Sequence, residues 1–258
     1  MALALITGAS KGIGKAIAIE LAKKKVDVLL VARSADLLER SARALSETYG
    51  VSTDYLSVDL TASGAAQKIA RWCHEKNYAP DILINNAGFA LSGSFNEHAL
   101  EEETNVIAVN LSVVVELTHL LLPVMLKQTP AYILNISSQA AFQSVPGLNV
   151  YAASKAFIKS FSRGLRFELK KTNISVTVVF PGATNTNFAS VARVGPKAQK
   201  AAKRFNMSPD EVAGVAIGAM YARKAECTPG FLNKLARFMV WLLPAYWSEK
   251  TAATIYEL

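Results

Sequence analysis

The sequence is poor in the groups that build metal sites and disulfides. Its 258 residues hold two cysteines, Cys73 and Cys227, isolated from each other and forming no CxxC pair. They make no disulfide framework, and they suit a reducing cytosol. The three histidines, His74, His98 and His119, are scattered, so no metal is expected. Acid is short relative to base: 20 Asp and Glu against 28 Lys and Arg leave a net charge of +8. That balance suits anionic ligands such as dinucleotides, acyl carriers or membrane headgroups. Nucleic acid is not expected, because no aromatic-basic motif accompanies the charge. Long apolar runs are missing as well. No stretch reads as long and apolar enough to span a bilayer, and Met1 to Ile6 is too short for a signal-peptide core. With 51% hydrophobic and 19% charged residues, the chain is globular and long enough for one α/β domain with a large core.

What is present is an alternation of strand and helix. Leu3 to Ile6 is a short apolar strand, followed at once by Thr7-Gly8-Ala9-Ser10-Lys11-Gly12-Ile13-Gly14. A helical pattern then runs through Ile13, Ile17 and Leu21. Strand, glycine turn and helix aim free backbone N–H groups and the positive dipole end at a phosphate. The spacing is G-x3-G-x-G. Gly8, Gly12 and Gly14 serve a tight turn, close approach to a pyrophosphate and helix–sheet packing. Ser10, Lys11 and Ile13 belong to the same candidate cofactor turn.

The second strand, Val26 to Val31, contains the continuous apolar run Val28-Leu29-Leu30-Val31, as in a buried parallel sheet. It ends at Ala32-Arg33-Ser34. At this point of a dinucleotide fold an acid accepts hydrogen bonds from the ribose 2′-OH, whereas an Arg suits a 2′-phosphate. No acid stands here, Arg33 does, and Lys11 could approach the same phosphate. NADP(H) is therefore expected over NAD(H); the alternative is two solvated cations. A third strand closes in Val58-Asp59-Leu60. Asp59 either accepts a hydrogen bond from the adenine amino group or caps a helix beginning near Thr61. The fourth strand ends in Asn85-Asn86-Ala87-Gly88, where small residues let backbone lie against a ribose, or which is an ordinary loop.

Thr104 to Leu126 carries one charge, Glu116, so its helix must be covered on more than one side. Asn110 lies inside it, either exposed or back-bonded, or supplying a carbonyl or kink that holds a water. The fifth strand, Tyr132 to Ile136, leads to Ser137-Ser138 at the edge where ligands of parallel sheets bind. The sixth, Ile174 to Phe180, leads to Pro181-Gly182-Ala183-Thr184-Asn185-Thr186. The fold class is α/β: one domain, a doubly wound parallel sheet with helices on both faces.

Between the last two strands, on a helix starting near Asn149, stands Tyr151-Ala-Ala-Ser-Lys155. Residues at i and i+4 share one helix face. A free tyrosine has a pKa of about 10. A nearby cation lowers it and brings proton transfer closer to working pH. The alternative is a buried Tyr with a snorkelling Lys.

In this order, Thr7-Gly8-x-x-x-Gly12-x-Gly14, Asn85-Asn86-Ala87-Gly88, Asn110, Ser138, Tyr151-x-x-x-Lys155 and Pro181-Gly182 resemble the short-chain dehydrogenase/reductase family, from Leu3 to about Tyr221. The resemblance implies a Rossmann-like fold and NADPH-dependent reduction of a carbonyl to an alcohol, or the reverse. Tyr151 would donate or remove the proton. Lys155 would bind the nicotinamide ribose and lower the Tyr151 pKa, and Ser138 would hydrogen-bond the carbonyl oxygen. Asn110 would hold a water joining Lys155 to solvent, and Thr184 and Thr186 would fix the nicotinamide amide. The competing reading is a non-catalytic dinucleotide sensor or scaffold.

Past Tyr221 the chain lacks a closing strand with a Val-Asp-Gly-Gly ending and resembles the subgroup of hydroxysteroid and long-chain beta-ketoacyl reductases. Residues 1–225 read as the dinucleotide-binding and catalytic part, and 226–258 as an apolar helical extension of the same domain. The substrate is a small carbonyl or alcohol, apolar or an acyl thioester. Arg193, Lys197, Lys200, Lys203 and Arg204 either recognise an anionic carrier or form a solvated helix face. A homodimer or homotetramer is expected through helices 104–126 and 151–171, using Ala152, Ala156, Ser160 and Gly164. The apolar helix from Phe231, ended by Pro244, packs over the pocket or a partner subunit; the alternative is a peripheral membrane contact. The expected location is cytoplasmic, with that membrane contact as an addition.

Overall fold

The apolar strands serve two cores at once. In β1 (Leu3–Thr7), Ala4 and Ile6 face one hydrophobic cluster and Leu5 faces the other. In β2 (Asp27–Ala32), Val28 and Leu30 go one way and Leu29 and Val31 the other. A strand buried on both faces has no polar side, hence the continuous apolar runs. β3 (Thr53–Ser57), β4 (Ile82–Asn85), β5 (Ala131–Ile136), β6 (Ile174–Val179) and β7 (Glu226–Cys227) complete one sheet in the order β3-β2-β1-β4-β5-β6-β7. All six pairings are parallel. The protein is described by a computed structural model covering residues 2–203 and 206–257.

On one face lie α1 (Gly12–Lys23) and α2 (Ala35–Tyr49), together with a later helix, Pro209–Tyr221. On the other lie α3 (Ala65–Glu75), α4 (Leu100–Ile107), α5 (Val113–Met125) and α6 (Asn149–Glu168). Then come α7 (Phe188–Val191), α8 (Pro196–Lys203), α9 (Pro209–Tyr221), α10 (Phe231–Leu242) and α11 (Ala245–Tyr256). α9 starts with a full capping box between Ser208 and Glu211 and a proline at its first turn.

Several expectations need correction. α4, a π-helical turn at Ala108–Ser112 and α5 form one helix, Leu100–Met125, 26 residues long with a mean hydropathy of 1.8 over its most apolar window. By length and composition it could cross a membrane, contrary to the sequence reading. It is apolar because Val113, Leu117, Leu121 and Met125 pack into the second core. The acids Glu101, Glu102 and Glu103 at its start hid its length. A closing strand does exist: Glu226–Cys227 pairs with Val178 and Val179. Two residues are too few to show a period. The helix expected near Thr61 begins at Ala65. Ala152 points into the protein at 4% exposure, whereas Ala156, Ser160 and Gly164 lie on the open face of α6. Of the basic segment, Arg193 pairs with Glu102 at 2.6 Å, across 91 residues of sequence. Arg204 lies outside the described residues, as does Met1.

Candidate active site

Strand order reverses between β1 and β4, and the C-terminal ends at such a switch point are where open α/β sheets bind ligands. Thr7, the last residue of β1, is buried, and its hydroxyl accepts from the N–H groups of Asn86 and Ala87, both at 3.1 Å. The Asn86 amide reaches back to Thr7 O at 2.9 Å and Gly8 O at 3.2 Å. The glycine turn and the Asn86-Ala87-Gly88 loop are thus laced together. Gly8, at φ +67°, has no room for a side chain: a Cβ would come within 2.9 Å of the Ala87 Cα. Gly14 meets the Asn86 amide and the Gly8 carbonyl in the same way.

Lys11 occupies the N-cap of α1 without a side-chain cap, and no acid stands in the first turn. The first N–H groups of that helix, at Gly12, Ile13 and Gly14, have no intrahelical acceptor. An uncapped, acid-free helix start behind a tight glycine turn fits a dinucleotide pyrophosphate. Ser10 is half-buried in the turn, and Lys11 is exposed beside it. Arg33 is exposed just past β2. Asp59 accepts from the Thr61 N–H at 2.9 Å and hydroxyl at 2.8 Å. The Thr61 backbone hydrogen bond first, and then the Thr61 hydroxyl and the Arg33 charge, hold its carboxyl below the usual range. Asp59 closes a turn and does not cap a helix.

Asn110 sits in the π-helical turn, where one extra residue bulges out of the α-helix. It is neither exposed nor back-bonded to its own helix. At 1% exposure its carbonyl accepts from Phe89 N at 3.0 Å, and its amide donates to Phe89 O at 2.9 Å and to Ser154 Oγ at 3.1 Å. Ser154 in turn donates to the Tyr151 carbonyl at 2.7 Å. Asn110 therefore braces the loop after Gly88 and the first turn of α6 together.

α6 presents the rest. The Lys155 ammonium is buried, donates to Ile136 O at 3.0 Å and lies 5.7 Å from the Tyr151 ring centre. Ser137 fixes the backbone beneath it by donating to Lys155 O at 2.8 Å. Ser138, two residues past β5, caps a 3-10 turn at Gln139–Phe142, its hydroxyl beside Tyr151 and accepting from Ala140 N at 3.2 Å. Burial lowers the Lys155 pKa to about 8. Burial also pushes Tyr151 up to about 12, with Ser138 pulling weakly the other way. Burial is the largest cause for both groups, because desolvation penalises each charged form.

After β6, Pro181 accepts from Gln139 N at 3.0 Å, joining the two loops. Thr184 is held by a bridge to Met207, and Thr186 accepts from Phe188 N at 3.2 Å while its methyl faces Gly12. Gly182 lies against the side chain of Asn233 from α10, leaving no space for a Cβ.

The chain belongs to the short-chain dehydrogenase family. The family model described as short chain dehydrogenase matches residues 2–196. Hydroxysteroid dehydrogenase-like protein 1 of Gallus gallus is 34% identical over 238 residues, 91% of this chain and 70% of that protein. Very-long-chain 3-oxoacyl-CoA reductase of Anas platyrhynchos is 37% identical over 198 residues, 74% of this chain. The match spans 62% of that reductase's length. Among solved structures, a short-chain dehydrogenase from Sphingobium yanoikuyae in complex with NADPH superimposes with a TM-score of 0.81 at 29% identity. That match covers 95% of this chain and 97% of the other.

This short-chain dehydrogenase has further site residues that its sequence did not point to. Phe188 packs its ring 5.3 Å from that of Tyr151. Ala252 and Tyr256 of α11 join the same cluster, with Val145, Leu148 and Ala192. Asn233 and Ser154 support the Gly182 loop and the Tyr151 turn. Phe188, Asn233, Ala252 and Tyr256 reach the site across long sequence separations and carry no local signature, whereas Ser154 stands inside the Tyr151–Lys155 stretch itself.

Proposed function

We propose that the chain is an NADPH-dependent carbonyl reductase in which Tyr151 is the general acid. The reading rests on one observation: a buried ammonium, a phenol and a hydroxyl converge at the C-terminal edge of the sheet, next to the laced glycine turn. Lys155 supports it further. An ammonium has three donors, and one goes to Ile136 O. The other two suit the ribose hydroxyls of a dinucleotide. The glycine turn, the first turn of α1 and the Asn86-Ala87-Gly88 loop would hold the rest, with Thr184 and Thr186 at the nicotinamide end. When bound, the dinucleotide supplies the hydride.

The remaining chemistry belongs to this chain. Ser138 donates to the substrate oxygen and polarises the carbonyl. Tyr151, a phenol at neutral pH because burial raises its pKa, gives its proton to the developing alkoxide. Lys155 compensates the phenolate left behind. Asn110, through Ser154, fixes the turn that aims Tyr151, and its bulged helix is where a water joining Lys155 to solvent would lie. Phe188, Val194 and Tyr256 make the pocket wall apolar. This favours an apolar or acyl-thioester carbonyl, as the names of the hydroxysteroid and oxoacyl-CoA relatives also suggest.

Arg33 and Lys11 favour the 2′-phosphate of NADP(H), with no acid at the end of β2 to favour NAD(H). The subunits pair as a homodimer, or as a tetramer of such dimers, through the Leu100–Met125 helix and the open face of α6. Residues 1–225 carry the chemistry, and 226–258 close the pocket as part of the same domain.

The test is NADPH consumption over a panel of steroid ketones, 3-oxoacyl thioesters and small aldehydes. Tyr151→Phe should lose roughly 10²–10⁴-fold in turnover, the span of general acid catalysis, with unchanged NADPH affinity. Comparable turnover in that variant would assign the proton to another group. Absence of any reduction across the panel, with tight NADPH binding, would favour the sensor reading. Arg33→Ala should weaken NADPH about tenfold or more and leave NADH nearly unchanged; tighter NADH than NADPH binding in the wild type would overturn the preference.

A further inference from the structure

The outer side of α10 is apolar where a water-facing helix is polar. Phe231, Leu232, Leu235, Phe238, Met239 and Leu242 fall within an arc of roughly 120° at 100° per residue. All six are exposed, from 41% to 76%. The opposite side carries Asn233, Arg237 and Val240, and it is this side that meets the body. Asn233 is buried and donates to Pro229 O at 2.8 Å, and Arg237 pairs with Glu226 at 2.7 Å. Polarity is therefore inverted: polar groups face inward and hydrocarbon faces out. Trp241, Tyr246 and Trp247 carry the patch around Pro244, each more than half exposed. Among the described residues, ten of the nineteen exposed large hydrophobics lie between Phe231 and Trp247, so this is one surface and no scatter of single side chains.

The charge beside the patch has one sign. A groove of about 550 Å³ between α10 and α6 is lined by Lys159, Lys234 and Arg237 together with Phe142, Phe238 and Trp241, and no carboxylate enters it. No Asp or Glu occurs between Glu226 and Glu249. We propose that this surface docks on an anionic lipid membrane, with α10 lying in the plane of the headgroups and Lys159 and Lys234 against lipid phosphates. Twelve residues at about 1.5 Å each give roughly 18 Å, well short of the roughly 30 Å hydrocarbon core, so the helix lies on the bilayer and does not cross it. Tryptophan and tyrosine at its end suit the interface, where a ring is half in hydrocarbon and half in water. A second copy of the chain fits less well. A two-fold contact through this patch sets each cationic flank against its like, with no acid on α10 to answer it.

The test uses the full chain and co-sedimentation with vesicles of phosphatidylcholine alone or with about one-third phosphatidylglycerol. The expected result is binding to the anionic vesicles, weakened at least tenfold by about 0.5 M salt or by neutral lipid. Lys234→Ala should lose about fivefold, the worth of one cation at a charged surface. Leu235→Glu should lose tenfold or more while keeping the wild-type circular dichroism and NADPH affinity. A wild-type protein left in the supernatant with both vesicle types overturns the proposal. So does a dimer in light scattering that Leu235→Glu dissociates, since the patch would then be covered by a second copy.

Discussion

Lys155 is the residue at which function and stability are set against each other. It is 4% exposed, bonded to one carbonyl and facing no carboxylate in its site. Its pKa falls from 10.5 to about 8 through burial, an unfavourable interaction of the charged form worth on the order of 3 kcal/mol. Between about pH 8 and 10.5 the unfolded chain holds this proton and the folded chain does not. Stability from this group therefore rises with pH across that window, and at neutral pH the cost is fully present. Lys155→Met removes the buried charge but orphans Ile136 O, which costs about 1 kcal/mol. The expected outcome is an inactive protein that is about 1–2 kcal/mol more stable than wild type at pH 7. Its advantage should shrink toward pH 10. Thermal melts of both proteins at pH 7 and pH 10 measure this, and a variant less stable than wild type at pH 7 would contradict it.

Among the elements, α10 is held to the body by a short ionic clip. Arg237 of α10 pairs with Glu226 of β7 at 2.7 Å, and Arg163 of α6 pairs with the same carboxylate at 2.7 Å. The Arg237 guanidinium also lies 4.2 Å from the centre of the Phe142 ring. Burial raises the Glu226 pKa, but Arg237 and then Arg163 outweigh it and hold the carboxyl below its usual range. A depressed folded pKa gives stability that is present above the unfolded value and lost as the pH falls through the folded one. Glu226→Gln should therefore mimic acid and loosen α10 first. Hydrogen exchange would show faster exchange over 231–242 with α1 and β1 unchanged; uniform protection would show the clip to be idle.

The same element shows what could be read in advance. The helix from Phe231 and its stop at Pro244 were legible, because helical spacing and proline act within a few residues. So were Tyr151, Lys155 and the glycine turn, whose chemistry is written in short motifs. The inversion of α10 was not, because which side meets the body is decided by Glu226, Pro229 and Gly182 in other elements. The two-residue β7 has no period to read. The burial of Tyr151 went unread for a related reason: the i, i+4 spacing is local, while Phe188 and Tyr256, which pack in the same cluster, come from elements far along the chain.

At the scale of the whole molecule, α6 leaves Ala156, Ser160 and Gly164 open, and Gly164 has nothing within 4 Å of a would-be Cβ. Phe157 on the same face is 37% exposed, and Leu120 on the neighbouring helix 38%. Small residues flanked by such side chains let two helices approach closely. The expected state at micromolar concentration is therefore a dimer or tetramer. Light scattering reads it directly, and replacing Gly164 by a bulky residue should shift the mass toward the monomer. A wild-type monomer would refute the assembly.

The reversal of strand order has a mechanical side. β1 to β3, with α1 and α2, come before residue 80, and β4 to β7 come after it. Within the sheet the two halves meet along one ladder, Ala4 to Ile6 against Ile82 to Ile84, reinforced at its end by Thr7, Asn86 and Ala87. That line is a seam, and the proposed cofactor site straddles its open end. A molecule lodged there bonds to both halves and works as a rivet. At a concentration a hundred times its Kd it adds about 2.7 kcal/mol against separation. A filled site should then resist proteases at the seam, so that supply of the small molecule sets how long the protein survives as well as how fast it works.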